Sequence, residues 1–98
     1  MTPLEKTQWQ LQLVDQLSKG NLSLGQAVQQ IRTRLYHMTQ ADYARLCQVS
    51  EKTLREVEKG KTDPRISIVE SLLRPGGLTL SARLQVNRVA TMAELAGR

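Results

Sequence analysis

The tightest constraint on this chain is the spacing of its helix caps between Thr39 and Gly60. Thr39 offers a hydroxyl for an N-cap, with Asp42 three residues on, and Ser50 offers another ahead of "EKTLREVEK". Gly60 closes the second piece, since glycine takes the left-handed conformation that ends a helix cheaply. Two helices of about two turns fit here, Gln40–Cys47 and Glu51–Lys59, with Gln48 and Val49 as the break between them. Helices that short are not stable in isolation. They must be held by packing, against each other and against the rest of the chain.

The flanking sequence supplies the surfaces. Pro3–Ser18 carries Leu4, Trp9, Leu11, Leu13, Val14 and Leu17 over a broad helical arc, and Lys19, Gly20 and Asn21 stop it. Ser23 with Gln26 forms a capping-box pattern that opens a second helix, with Ala27, Val28, Ile31 and Leu35 on one face. After Gly60, Asp63 and Pro64 reopen the helical pattern, with proline in a first turn. Ile66, Val69, Leu72 and Leu73 mark the inner face of that fifth helix, which Pro75, Gly76 and Gly77 terminate. The period then changes. Leu78, Leu80, Ala82, Leu84 and Val86 alternate with Thr79, Ser81, Arg83 and Gln85, which is the pattern of a strand. The expected architecture is all-α with one C-terminal β-strand: residues 1–20 an N-terminal helical extension, 21–77 the main helical domain, 78–87 the strand and 88–98 a small-residue tail.

Composition narrows the function. Ninety-eight residues give room for one domain, and 40% hydrophobic with 23% charged residues is ordinary for a globular chain. Fourteen Lys plus Arg against nine Asp plus Glu leave a net charge of +5, which favours polyanionic partners; with no phenylalanine and only three other aromatics, a base-stacking platform is not expected. Cys47 stands alone, so no internal disulfide is expected, and it reads as a small core residue in a reducing cytoplasm. No apolar run reaches the ~18 residues of a membrane span, and the N-terminus lacks the order of a signal peptide. No nucleophile–base pair, paired-carboxylate site or phosphate-cradling glycine loop can be built, so neither enzymatic activity nor a metal or cofactor is expected.

The helix from Glu51 to Lys59 divides by chemistry. Leu54 and Val57 form its apolar side, while Glu51, Lys52, Arg55, Glu56 and Lys59 lie on the outer side. Two short capped helices joined by a tight turn are a helix-turn-helix, which presents its second helix to the DNA major groove. Taken alone, an outer stripe of charges is more often a solvated face; the caps and turn in register with it reverse that balance.

The stretch "MTQADYARLCQVSEKTLREVEKGKTDP" resembles the phage-repressor-type, or Xre/Cro-like, helix-turn-helix family. Thr39, Gln40, Ala44, Val49, Ser50, Leu54, Glu58, Gly60 and Pro64 fall in register with its pattern. The resemblance implies a lambda-repressor-like fold in which Glu51, Lys52 and Glu56 read bases, with Arg55 a fourth candidate one turn on. Lysine and arginine suit guanine O6 and N7, and a carboxylate can accept from cytosine N4. Gln40 and Ser50 would contact phosphate, Gln40 also bracing the second helix, and Thr53, Lys59, Lys61 and Arg65 are assigned to backbone contacts. Three departures stand out: Gln48 replaces the glycine of the turn, Tyr43 replaces a leucine, and the run from Arg32 to Gln40 is one residue longer than usual. In the family register Arg32 pairs with Glu58, with Arg34 as rival.

A lone strand is not stable in water, and no other segment offers to pair with it. A second copy would, by antiparallel pairing across a two-fold axis. "SLLRPGGLTLSARL" is similar to the end of the HipB-like antitoxin branch of the family, where such a segment forms an intersubunit sheet. The alternatives are an edge packed on its own helices or an addition site for another protein. The expected protein is a homodimeric transcriptional regulator, a repressor, on double-stranded palindromic DNA. The rivals are an antitoxin that also binds a toxin protein, and an interaction adaptor without DNA affinity.

Overall fold

The computed structural model describes residues 1–81 and is helical throughout its regular elements. These are α1 (Pro3–Ser18), α2 (Leu24–Gln30), α3 (Gln40–Cys47), α4 (Glu51–Lys59) and α5 (Ile66–Leu73). A π-helical turn, Ile31–Leu35, continues α2, and a 3₁₀ turn, Arg74–Gly76, continues α5. Ala82, Leu84 and Val86 of the expected strand lie outside the described residues.

The caps expected from sequence set the helix starts. Thr39 Oγ1 accepts from the Asp42 N–H at 3.2 Å, and Ser23 and Gln26 form the reciprocal capping box. α1 and α4 end alike, each on a glycine in the left-handed conformation: Gly20 at φ 73° and Gly60 at φ 69°. In α4 the Lys61 N–H reaches back to the Glu56 carbonyl at 3.1 Å, which closes the last turn. α3 ends by the same geometry without glycine. Gln48 sits at φ 59° and ψ 39°, and the Val49 N–H bonds to the Ala44 carbonyl at 3.0 Å.

The core is built almost wholly from aliphatic side chains of the five helices: Leu13 from α1, Ala27, Val28 and Ile31 from α2 and its π turn, Ala44 and Cys47 from α3, Leu54 and Val57 from α4, and Val69, Leu72 and Leu73 from α5. Tyr43 is its one aromatic member, and its hydroxyl donates to the Leu72 carbonyl at 2.6 Å. Burial therefore pushes its phenol well above the ordinary range. The ring expected to need a partner has one, and that bond ties α3 to the end of α5. Burial likewise pushes the Cys47 thiol up, which suits an inert core residue.

Two expectations about α5 change. Pro64 is not in the first turn; the helix starts at Ile66 behind Arg65, whose side chain makes no capping bond, and Pro64 is half-buried ahead of it. Ile66, expected on the inner face, is 70% exposed. It shares a face with Val69 and Leu73, but as the first helical residue it stands one turn beyond the edge of the core.

Gln48 gives a direct test of the turn. A side chain in the left-handed region costs about 1–2 kcal/mol, which the greater freedom of an unfolded glycine partly offsets. Gln48→Gly should raise stability by about 0.5–1 kcal/mol, a few degrees in Tm by calorimetry. A lowered Tm would show that the turn draws on contacts of the Gln48 side chain instead.

Candidate nucleic-acid interface

α4 is the element that the rest of the described chain positions. It lies across α2 and α3, with Leu54 and Val57 facing inward, both buried. The approach to α2 is close enough that a Cβ on Gly25 would collide with the Val57 carbonyl oxygen. Gly25 escaped the sequence reading. A glycine in the first turn of a helix costs stability there, and such a residue signals a close backbone contact.

A buried ion pair fixes the same end of the helix through a side chain. Arg32 donates through Nε to Glu58 Oε2 at 2.8 Å and through Nη2 to Oε1 at 2.9 Å, a bidentate pair with side chains only 12% and 5% exposed. Nη1 of Arg32 donates to the Met38 carbonyl at 3.0 Å, and Gln40 Nε2 donates to Glu58 Oε1 at 3.1 Å. One carboxylate thus joins the π turn, the loop before α3, the start of α3 and the end of α4. Arg34, the rival partner, is exposed and borders a cleft lined also by Trp9 and Gln30.

The outer side of α4 carries the expected reading residues. Glu51, Lys52 and Arg55 are exposed and Glu56 is half-buried. Arg55 Nη1 lies 3.8 Å from Glu51 Oε1, one turn away on the same helix. A pair this exposed contributes little, so either group can exchange its partner for a base edge at small cost. Ser50 Oγ accepts from the Thr53 N–H at 3.0 Å and donates to Thr53 Oγ1 at 2.7 Å, so both hydroxyls sit at the helix start, where N–H groups and the dipole favour an anion. Lys59 at the other end of α4 and Lys61 and Arg65 beyond it are exposed, and among the described residues no ion pair engages them or Lys52. Gln40 keeps one amide hydrogen beyond the one given to Glu58.

A family model described as a helix-turn-helix domain matches residues 23–86, more than half of the chain. The chain belongs to that family. No curated protein and no solved structure matches it. The motif is α3, the turn at Gln48 and Val49, and α4. The matched stretch begins at the capping box of α2 and leaves α1 outside, although α1 contributes Leu13 to the core and Gln10 Nε2 donates to the Gly76 carbonyl at 2.6 Å. Among the described residues no cluster of His, Cys, Asp or Glu is arranged to hold a metal ion, and no helix is long and apolar enough to cross a membrane.

Removing one partner of a buried pair strands the other. Arg32→Met should cost about 3–5 kcal/mol in urea unfolding, and adding Glu58→Leu should recover most of it, because both charges are then gone. A single variant that loses less than about 1 kcal/mol would mean that water already reaches Glu58 and that the pair does not fix α4.

Proposed function

We propose that this protein is a sequence-specific DNA-binding regulator of transcription, a repressor of the Xre or Cro-like kind that binds a palindromic operator as a homodimer. The observation that carries this reading is the outer face of α4. It holds two cations and two carboxylates on a helix whose inner face, N-cap and C-terminal end are all fixed by the protein. A solvated surface helix has no need of such fixing.

In this reading Lys52 and Arg55 donate to guanine O6 and N7, and Glu51 and Glu56 accept from cytosine N4. The carboxylates also work against misplacement, since a glutamate facing phosphate is repelled and one facing a cytosine edge is not. Gln40, Ser50 and Thr53 approach phosphate at the near end of α4, and Lys59, Lys61 and Arg65 at the far end; these contacts set register without reading sequence. One recognition helix covers a few base pairs. Two, held about one helical turn or ~34 Å apart, cover a palindrome, which is why a dimer belongs to the proposal. Repression follows by occlusion of the promoter that contains the operator.

The test is a gel shift on DNA upstream of the protein's own gene, run across salt. Binding should weaken steeply as salt rises. Lys52→Ala and Arg55→Ala should each reduce the preference for operator over scrambled DNA by about 1–3 kcal/mol, roughly fivefold to a hundredfold. Lys61→Ala should weaken binding to both DNAs alike. Undiminished discrimination in Lys52→Ala and Arg55→Ala would remove α4 from the reading role, and no shift on any upstream fragment would remove DNA as the partner.

A further inference from the structure

Where α1 lies against α2 and the π turn, a cleft of about 420 Å³ opens between them. Its apolar part is Leu13, which is buried, with Leu22 and the indole of Trp9 half-buried beside it. Its polar part is Arg34 with the carboxamides of Gln12, Gln16 and Gln30. Among the described residues none of these four side chains makes a hydrogen bond, and no ion pair engages Arg34. Arg34 is thus the cation that the pairing of Arg32 with Glu58 leaves over. An apolar floor with a few convergent polar groups, in a volume of about 300–1,000 Å³, is the anatomy of a small-molecule site. The matched helix-turn-helix module starts at residue 23, so the wall that α1 provides comes from outside the module.

We propose that this cleft binds a small aromatic carboxylate, and that the occupied cleft acts on α4. A guanidinium takes a carboxylate through two parallel hydrogen bonds, and a flat ring suits the indole and the two leucines. Asp15 lines the same cleft and, though paired with Lys19 at 3.0 Å, works against a doubly charged ligand such as a phosphate monoester. The glutamines can donate to or accept from polar substituents on the ring. Gln30 and Arg34 each stand two residues from Arg32, at the cap of the π turn and within it. A ligand that draws both toward α1 displaces the turn that holds Glu58, and α4 with it. The site itself is independent of the DNA reading; its effect on operator binding rests on that reading.

The test uses the full chain, whose one tryptophan is Trp9. Benzoate should change the Trp9 emission saturably, with a dissociation constant of about 1 mM as suits so small a ligand, and benzamide at equal ionic strength should not. Arg34→Gln should raise that constant about tenfold or more, with Arg34→Lys in between, because lysine keeps the charge and loses the fork. Arg34 is exposed, so both variants should unfold in urea with the parent. Operator affinity should fall about fivefold or more at saturating benzoate, and by linkage operator should weaken benzoate binding by the same factor. No saturable change with benzoate, or an equal one in Arg34→Gln, would overturn the site. Saturable binding with unaltered operator affinity would keep the site and overturn its action on α4. Failure to bind any operator would overturn the DNA reading, while the Trp9 titration decides the site without DNA.

Discussion

The carboxylate of Glu58 is the point on which the orientation of α4 depends. Alone, a charge buried to that degree would oppose folding; with Arg32 on both oxygens and Gln40 on one, it is compensated and directional. The planar guanidinium also fixes direction, because a bidentate pair tolerates little rotation. Arg32 belongs to the π turn, so this pair transmits the position of α2 directly to the C-terminal half of α4. Gly25 sets the same relation at the backbone of Val57 and Glu58 by letting two backbones touch. With two such anchors, the reading face can be rigid although α4 is only Glu51–Lys59.

The π turn also accounts for a departure visible in the sequence. The run from Arg32 to Gln40 carries one residue more than the usual spacing. In the structure the Tyr36 N–H bonds to the Ile31 carbonyl, five residues back, at 3.2 Å. A π turn of this kind takes up one residue in place. His37, at φ 52°, completes the reversal, and the Met38 carbonyl returns to Arg32. The extra residue and the ion pair thus stand side by side in one local backbone feature.

Three side chains fix the end of α5 and the turn that follows it. Tyr43 donates to the Leu72 carbonyl, Tyr36 to that of Pro75 at 2.5 Å, and Gln10 to that of Gly76. Carbonyls at a helix end lack partners within the helix, and here α3, the residue after the π turn and α1 each supply one. The two tyrosine rings lie 6.2 Å apart and tilted, so the bonds to Leu72 and Pro75 come from one packed unit. The direction in which residues 78–81 depart is thereby tied to the same core that carries α4.

Much of this was legible in the sequence because it is local. N-caps at Ser23, Thr39 and Ser50, the stops at Gly20 and Gly60, and the division of α4 into inner and outer sides all follow from residues a few positions apart. What escaped depends on distant partners. The roles of Gly25, of the π turn and of Gln10 need a second element in place before they have meaning. Periodicity placed Ile66 on the right face but could not say where the core stops along that face. The charged face of α4 was readable as chemistry, and the family register already offered Arg32 and Gln40 as its braces; the choice of Arg32 over Arg34 and the bidentate geometry on Glu58 came only with the fold. The central claim is that the outer face of α4 meets DNA, and backbone amide NMR of the full chain titrated with upstream operator DNA tests it most directly. The account predicts shifts at Gln40, across residues 50–56 and at Lys59, Lys61 and Arg65, with α1 unchanged. Shifts concentrated on α1 or around Leu24 and Ile66, with α4 unmoved, would contradict it.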